Sequence, residues 1–350
     1  MRKEIGALID TLEREHALPE EGYLALVKEG GEETARLLAE RADAVRRRVF
    51  GSAVYVRGLI EISSICKNDC LYCGIRRSNR ACERYRLSKE DILSACDEGY
   101  ALGFRTFVLQ GGEDGYYTDE VLGGVVRAIK AAHPDCAVTL SMGERSRESY
   151  AALRLAGADR YLLRHETADA AHYAMLHPEE MSFDNRMRCL HDLKALGYQV
   201  GCGFMVGSPY QTPVHLARDL KFIERFRPQM CGIGPFIPHA ATQFADDPAG
   251  TVEMTCRLLS IIRLMHPGVL LPATTALGSI DPFGREKGIL AGANVVMPNL
   301  SPASVRRKYA LYDNKLSDGA ESAQCIGELR ARMAAIGYEV VTDRGDYRNC

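Results

Sequence analysis

Residues 54–74 read Val-Tyr-Val-Arg-Gly-Leu-Ile-Glu-Ile-Ser-Ser-Ile-Cys-Lys-Asn-Asp-Cys-Leu-Tyr-Cys-Gly, a β-rich run that leads into three closely spaced cysteines. Cys66, Cys70 and Cys73 stand as C-x3-C-x2-C, with Tyr72 directly before the last. A four-iron cluster has four corners, and thiolates usually fill all of them. Three ligands on one short loop leave one iron open, and an open metal position can take a substrate or cofactor, as on catalytic zinc. The same trio also admits a structural zinc completed by a distant His, or simply buried thiols. Tyr72 and the downstream sequence favour the cluster.

Outward from this loop, strands and helices alternate. Strand one spans residues 54–65, and the following strands are expected at 106–110, 137–142, 161–164, 200–206, 230–235, 270–275 and 294–297. Helical sequence lies between them, near 88–103, 119–133, 147–156, 184–196, 213–226, 251–265 and 284–291, and again from strand eight to about residue 336. Ser88 followed by Asp91 has the pattern of an N-cap. Strand–helix alternation predicts a parallel sheet, and eight such units predict a closed (β/α)8 barrel of the TIM type, an α/β fold. Strands six and eight are short, so an open six-stranded three-quarter barrel is the alternative. Residues 1–50 read as an N-terminal helical extension, with Ile5, Leu8, Ile9 and Leu12 at helical spacing; they are expected to cap the barrel, and residues 51–350 to form the barrel with its C-terminal helices.

The chain has 350 residues, 46% of them apolar, which suits one large domain. Its 44 basic and 46 acidic residues balance to −2, so no nucleic-acid or polyanion footprint is expected. Twelve cysteines are present, and those outside the loop are scattered. No signal-peptide pattern opens the sequence and no apolar run approaches the ~20 residues of a membrane span. A disulfide framework is therefore not expected, and a reducing, cytoplasmic setting is.

A barrel of this kind builds its active site at the C-terminal ends of its strands. Strand two ends in Gln110-Gly111-Gly112-Glu113-Asp114, where two glycines allow close backbone approach and Glu113 can receive an ammonium. Strand three ends in Ser141-Met142-Gly143-Glu144, strand four in Arg164-His165-Glu166-Thr167, strand seven in Thr274-Thr275 and strand eight in Met297-Pro298-Asn299. Each has a plainer reading: an ordinary turn at Gly111-Gly112, a structural Arg164–Glu166 pair, half-buried threonines, a core Met297. His165 falls on the opposite strand face from its neighbours and reads as structural.

The cysteine loop resembles that of the radical S-adenosylmethionine (SAM) superfamily. Further segments resemble one family within it, the HydE-type maturases of [FeFe]-hydrogenase: 66–77, 84–86, 108–114, 141–144, Gly157–Ala168, Gly232–His239, 272–278 and 292–299. The resemblance implies one [4Fe–4S] cluster on Cys66, Cys70 and Cys73, with SAM on the fourth iron. It implies a cofactor pocket made by Tyr72, Gln110, Gly111, Gly112, Glu113, Ser141, Glu166, Arg186, Met297 and Tyr309. Arg164, Thr274 and Thr275 would form a deeper anion or substrate site. The implied reaction is reductive SAM cleavage to a 5′-deoxyadenosyl radical acting on an organometallic iron–cysteine species with CO and cyanide. The implied partners are HydG- and HydF-type maturases and an external electron donor, with no membrane. Some family members carry a second cluster on three C-terminal cysteines; residues 316–328 here offer only Cys325, with Ser317 and Glu328 where others might stand, so no second cluster is expected. Rival readings are a related radical SAM enzyme, such as methylornithine synthase or biotin synthase, and a non-enzymatic iron–sulfur or zinc-binding barrel.

Overall fold

The computed structural model describes residues 2–29, 31–316 and 319–349. Three helices open the chain: α1 (Arg2–Glu15), α2 (Glu20–Lys28) and α3 (Glu32–Phe50). The strands are β1 (Ala53–Val56), β2 (Gly58–Ser63), β3 (Thr106–Gly111), β4 (Ala137–Ser141), β5 (Arg160–Leu162), β6 (Gln199–Cys202), β7 (Met205–Val206), β8 (Met230–Cys231), β9 (Gly234–Pro235), β10 (Val295–Val296) and β11 (Glu339–Val341). Between and after them run α4 (Lys89–Ala101), α5 (Asp119–Ala132), α6 (Arg147–Leu155), α7 (Ala170–Leu176), α8 (Phe183–Ala195), α9 (Pro213–Phe226), α10 (Val252–Met265), α11 (Thr275–Ile280), α12 (Gly284–Leu290), α13 (Ala303–Arg306) and α14 (Ile326–Ala335).

Six strands form one parallel sheet in the order β2-β3-β4-β5-β6-β8. Single parallel bridges from Met230 to Leu270, Pro272 to Val295 and Leu59 to Asn299 carry it around to its own start. Residues 270–272 and 295–299 thus fill the seventh and eighth positions. Closure on β2 is made by Leu59 N–H on the Pro298 carbonyl (2.9 Å) and Leu300 N–H on the Leu59 carbonyl (2.7 Å), so the barrel is closed rather than three-quarters open. Every residue of β2 is buried, as a strand covered on both faces requires. Helices pack outside through stripes such as Leu122, Val125, Val126 and Ile129 of α5. Ser88 and Asp91 form the expected capping box at the start of α4.

The structure departs from the sequence reading in four places. The seventh strand is reduced to two bridges: Pro272 has no N–H to donate, and α11 begins directly after Thr274, which stands at its N-cap position without a side-chain cap bond, so Thr275 is helical rather than extended. Strands five and six break after Cys202 and Cys231, because Gly203 (φ +151°) lies so close that a Cβ there would stand 2.0 Å from the Gly232 carbonyl oxygen; their distal pieces, β7 and β9, pair separately. Helix α7, capped by Asp169, was not expected. The stretch between strand eight and residue 325 is mostly irregular, with only α13 and two 3₁₀ turns, rather than a helical run to 336.

The first three helices pack against the outer layer of the barrel. Tyr23 O–H donates to Glu224 of α9 (2.6 Å), and Lys221 reaches the Leu18 carbonyl (2.8 Å). Buried Arg46 of α3 donates to the carbonyls of Ala293, Gly51 and Ala53. At the other end of the chain, β11 joins β1 and β10 in a small parallel sheet at the N-terminal end of the barrel. No disulfide joins the described cysteines, and no described helix is long and apolar enough to cross a membrane.

Candidate active site

The cysteine loop is held open by its own polar groups. Arg84 gathers four carbonyls, those of Ser64 (2.5 Å), Ile75 (2.8 Å), Arg76 (2.6 Å) and Asn79 (3.2 Å), and so pins both ends of the loop. Asp69 accepts from Arg76 Nε and Ser78 N–H, both at 2.9 Å; the Arg76 bond is the main reason its carboxyl lies well below the usual range. Asn79 donates to the Gly74 carbonyl (2.7 Å). On the far side, Leu71 N–H donates to the Leu176 carbonyl (3.0 Å) at the end of α7, which the sequence reading missed. Tyr72 packs edge-on against His177, their O and Nε2 atoms 3.2 Å apart. The Tyr173 carbonyl, 2.9 Å from His177 Nδ1, can only accept, so the proton sits on Nδ1 and Tyr72 is the donor to Nε2.

All three thiols line one cavity of about 360 Å³ inside the barrel mouth. Burial pushes each of them up, Cys73 to about 12 and Cys70 well above its ordinary value, where the neighbouring Cys73 adds to the effect. As bare thiols they resist ionisation; a bound polycation reverses this, because a coordinated thiol is deprotonated outright. Among the described residues no trio of His, Cys, Asp or Glu converges on one point as a single metal ion requires. A cubane instead spreads its thiolates over separate corners. The donor chemistry of the loop therefore fits a cluster.

The residues expected for the cofactor pocket and for the deeper substrate site line the same cavity, whereas the strand-end residues Asp114, Glu144, Thr167 and Asn299 do not. Gly112 lies so near the loop that a Cβ would stand 2.3 Å from the Ile65 carbonyl oxygen and 2.7 Å from Cys66 Cβ. Glu113 N–H points at Cys66 Sγ (3.4 Å). The Glu113 carboxylate is held by Glu144 N–H (2.8 Å) and Lys67 (3.0 Å), so it braces the turn. Ser141 pairs in register with Gln110 on the adjoining strand. Arg186, from α8, donates to Glu144 (2.6 Å) and to the Arg164 carbonyl (2.6 Å). Glu166 takes a left-handed backbone (φ +64°), rare for a residue with a side chain. Its Oε2 lies 3.1 Å from an Arg164 nitrogen but is misaligned for a hydrogen bond, leaving Arg164 Nε and Nη2 and Glu166 Oε2 buried without partners. Thr274 Oγ1 is likewise unsatisfied, whereas Thr275 is 3.5 Å from Arg285. Met297 and Tyr309 complete the wall. His165 lies outside this cavity, 3.3 Å from buried Asp219.

The sequence reading missed three charged lining residues, Arg57, Glu61 and Lys315. Arg57 and Glu61 stand four apart on the first strand, with Leu59 between them, and all three face the cavity. Two charges at one parity in an otherwise apolar strand were a legible signal. Arg57 keeps Nε and Nη2 unpaired, while its Nη1 lies 3.0 Å from Met230 Sδ. Lys315 comes from the irregular stretch after strand eight, and nothing in its local sequence marks it.

The Radical SAM superfamily profile matches residues 60–223. The [FeFe] hydrogenase maturase subunit HydE of Thermotoga maritima is 42% identical over 308 residues, covering 88% of each chain. The chain belongs to the HydE family of radical SAM enzymes. Membership in that family implies a [4Fe–4S] cluster and SAM, which the cysteine loop and its cavity fit. The 3-methylornithine synthase of Methanosarcina acetivorans is a more distant relative, 28% identical over 92% of this chain and 90% of its own. The crystal structure of methylornithine synthase superposes with a TM-score of 0.85 at 27% identity, covering 95% of this chain and 97% of that one. A crystal structure of the hydrogenase maturase HydG, at 18% identity and a TM-score of 0.80, shares the fold.

Proposed function

We propose that the chain reductively cleaves SAM and acts in [FeFe]-hydrogenase maturation, on an iron–cysteine species bearing CO and cyanide. The observation that carries the reading is one cavity that brings three loop thiols together with Arg164, Glu166 and Thr274, each keeping a buried polar atom without a hydrogen bond, in a chain 42% identical to a HydE. When bound, cluster and SAM supply one-electron cleavage of a carbon–sulfur bond; the protein supplies position and electrostatics. The Gly111-Gly112 turn, braced through Glu113, lets the backbone approach the methionine end of SAM. Tyr72, anchored on His177, and Ser141, Met297 and Tyr309 border the cofactor. Glu166 and Arg186 offer charge to its polar groups. Arg164, Thr274 and Thr275 give donors for a small carboxylate such as that of a cysteine ligand.

One cluster is proposed. Within 316–328 the sole cysteine is Cys325, part-exposed on a 3₁₀ turn; Glu328 is helical, and Ser317 lies outside the described residues. The reading includes HydG- and HydF-type partner maturases, an external reductant and a reducing cytoplasm. Incubating anaerobically reconstituted protein with SAM, dithionite and a synthetic iron–cysteine complex tests it. Consumption of the complex together with 5′-deoxyadenosine formation is expected. Turnover of lysine to methylornithine instead would move the chain to the methylornithine synthases.

A further inference from the structure

A buried ion pair in the cavity wall has no part in the account so far. Glu61, on β2, is fully buried, and its carboxylate meets the Lys315 ammonium, itself only 9% exposed. Asn299 Nδ2 donates to the other Glu61 oxygen (2.9 Å), and Lys315 also donates to the Tyr309 carbonyl (3.0 Å). Taking both charges out of water costs several kcal/mol per ion unless they meet in good geometry, and removing one leaves the other uncompensated.

The cation belongs to no barrel element. Residues 307–316 have no regular secondary structure, so no ladder of their own holds them in place. Their links run to parts of the site instead. The Leu311 carbonyl accepts from Gly74 N–H in the cysteine loop (2.8 Å), and the Ala310 carbonyl oxygen lies where a Cβ on Gly74 would be, 2.2 Å away. Asp313 N–H donates to the Pro238 carbonyl (3.1 Å), and its carboxylate accepts from Ala240 N–H (2.8 Å). Tyr309, Leu311, Tyr312 and Lys315 all line the cavity. The segment is therefore a wall of the site, fastened at Lys315 by a buried charge pair, at Lys308 by a part-exposed one to Glu83, and between them by a few hydrogen bonds.

We propose that Lys315 is a positioning residue: paired with Glu61, it latches residues 307–316 across the mouth of the barrel, fixing Tyr309 and completing the cavity only when shut. Its place in the reaction rests on the function proposed above; the latch itself does not. Release of the Lys315–Glu61 pair is the step that would open the segment as an entry path for cofactor and substrate.

Hydrogen exchange of residues 307–316, read by mass spectrometry, tests the latch with or without turnover. In K315M these amides should exchange about tenfold faster than in the unaltered protein while the rest of the barrel is unchanged, and K315R, which keeps the cation, should restore protection. In the SAM cleavage assay, K315M should raise KM for SAM about tenfold with a smaller effect on kcat, the split that removal of ground-state binding gives. Should K315M fold poorly because Glu61 is left alone, E61Q/K315M removes both charges and should show the same faster exchange. Unaltered exchange in either folded variant, or an unaltered KM in K315M, overturns the proposal. If the unaltered protein never cleaves SAM, the exchange result still decides the latch, so its failure and that of the proposed function are distinguishable.

Discussion

Gly112→Ala is the smallest change that should disable the site without unfolding the barrel. Its added Cβ would stand 2.3 Å from the Ile65 carbonyl oxygen and 2.7 Å from Cys66 Cβ, neither of which is the movable end of a side chain. Restoring ordinary contact at 3.4 Å requires the loop backbone or the glycine turn to shift by about 1 Å. The turn cannot yield freely, since Glu113 is tied to Glu144 N–H and Lys67 and its own N–H faces Cys66 Sγ. Overpacking of this kind costs about 1–3 kcal/mol of stability, a few degrees in the unfolding midpoint of a large domain. A misplacement of about 1 Å at a reacting centre can cost about 100-fold in rate. The expected result is a folded G112A protein that forms 5′-deoxyadenosine about 100-fold more slowly, measured by anaerobic single-turnover assay alongside its melting curve. A variant with the original cleavage rate and SAM affinity would refute the close-approach argument.

R164M removes the guanidinium offered to the substrate's carboxylate; charge-assisted contacts are worth about 1.5–3 kcal/mol, so substrate KM should rise about 10- to 100-fold in the iron–cysteine complex assay. H177F deletes the acceptor for Tyr72 O–H, a bond worth about 1 kcal/mol, and should weaken SAM binding about fivefold in equilibrium titrations, with the cluster still assembled. Burial, with Arg227 adding to it, lowers His266 to about 4, against about 6.5 in an unfolded chain. The unfolded state therefore binds the proton more readily, so this residue's share of stability is present above pH ~6.5 and is lost as pH falls towards 4, up to about 3 kcal/mol. Urea midpoints across that window should fall less steeply for H266F; an identical slope would remove His266 from the account.

Most of the framework was legible because the physical signals were local. The three-cysteine loop, the strand-end glycines at Gly111-Gly112 and the Ser88–Asp91 cap each declare themselves within a few residues. Seven helices emerged from apolar periodicity with ends displaced by a residue or two. What escaped depended on distant partners. Strand seven looks extended through Thr275, but Pro272 limits its ladder and a helix begins directly after Thr274. Helix α7 has only seven residues, too few for periodicity to speak, yet it buttresses the cysteine loop. The apolar residues after Asn299 scan as helical because several face the cavity from an irregular segment. Glu61 and Lys315 lie 254 positions apart, and their pairing is visible only once the barrel has closed.

The central claim is that Cys66, Cys70 and Cys73 hold a four-iron cluster whose remaining iron takes SAM. Electron paramagnetic resonance of the reduced, anaerobically reconstituted protein, recorded before and after adding SAM, tests this most directly. The account predicts a cluster signal that is lost in C70A and changes shape when SAM is added, with 5′-deoxyadenosine forming in the same tube. A signal indifferent to SAM, or a preparation that binds zinc in place of iron, would contradict it.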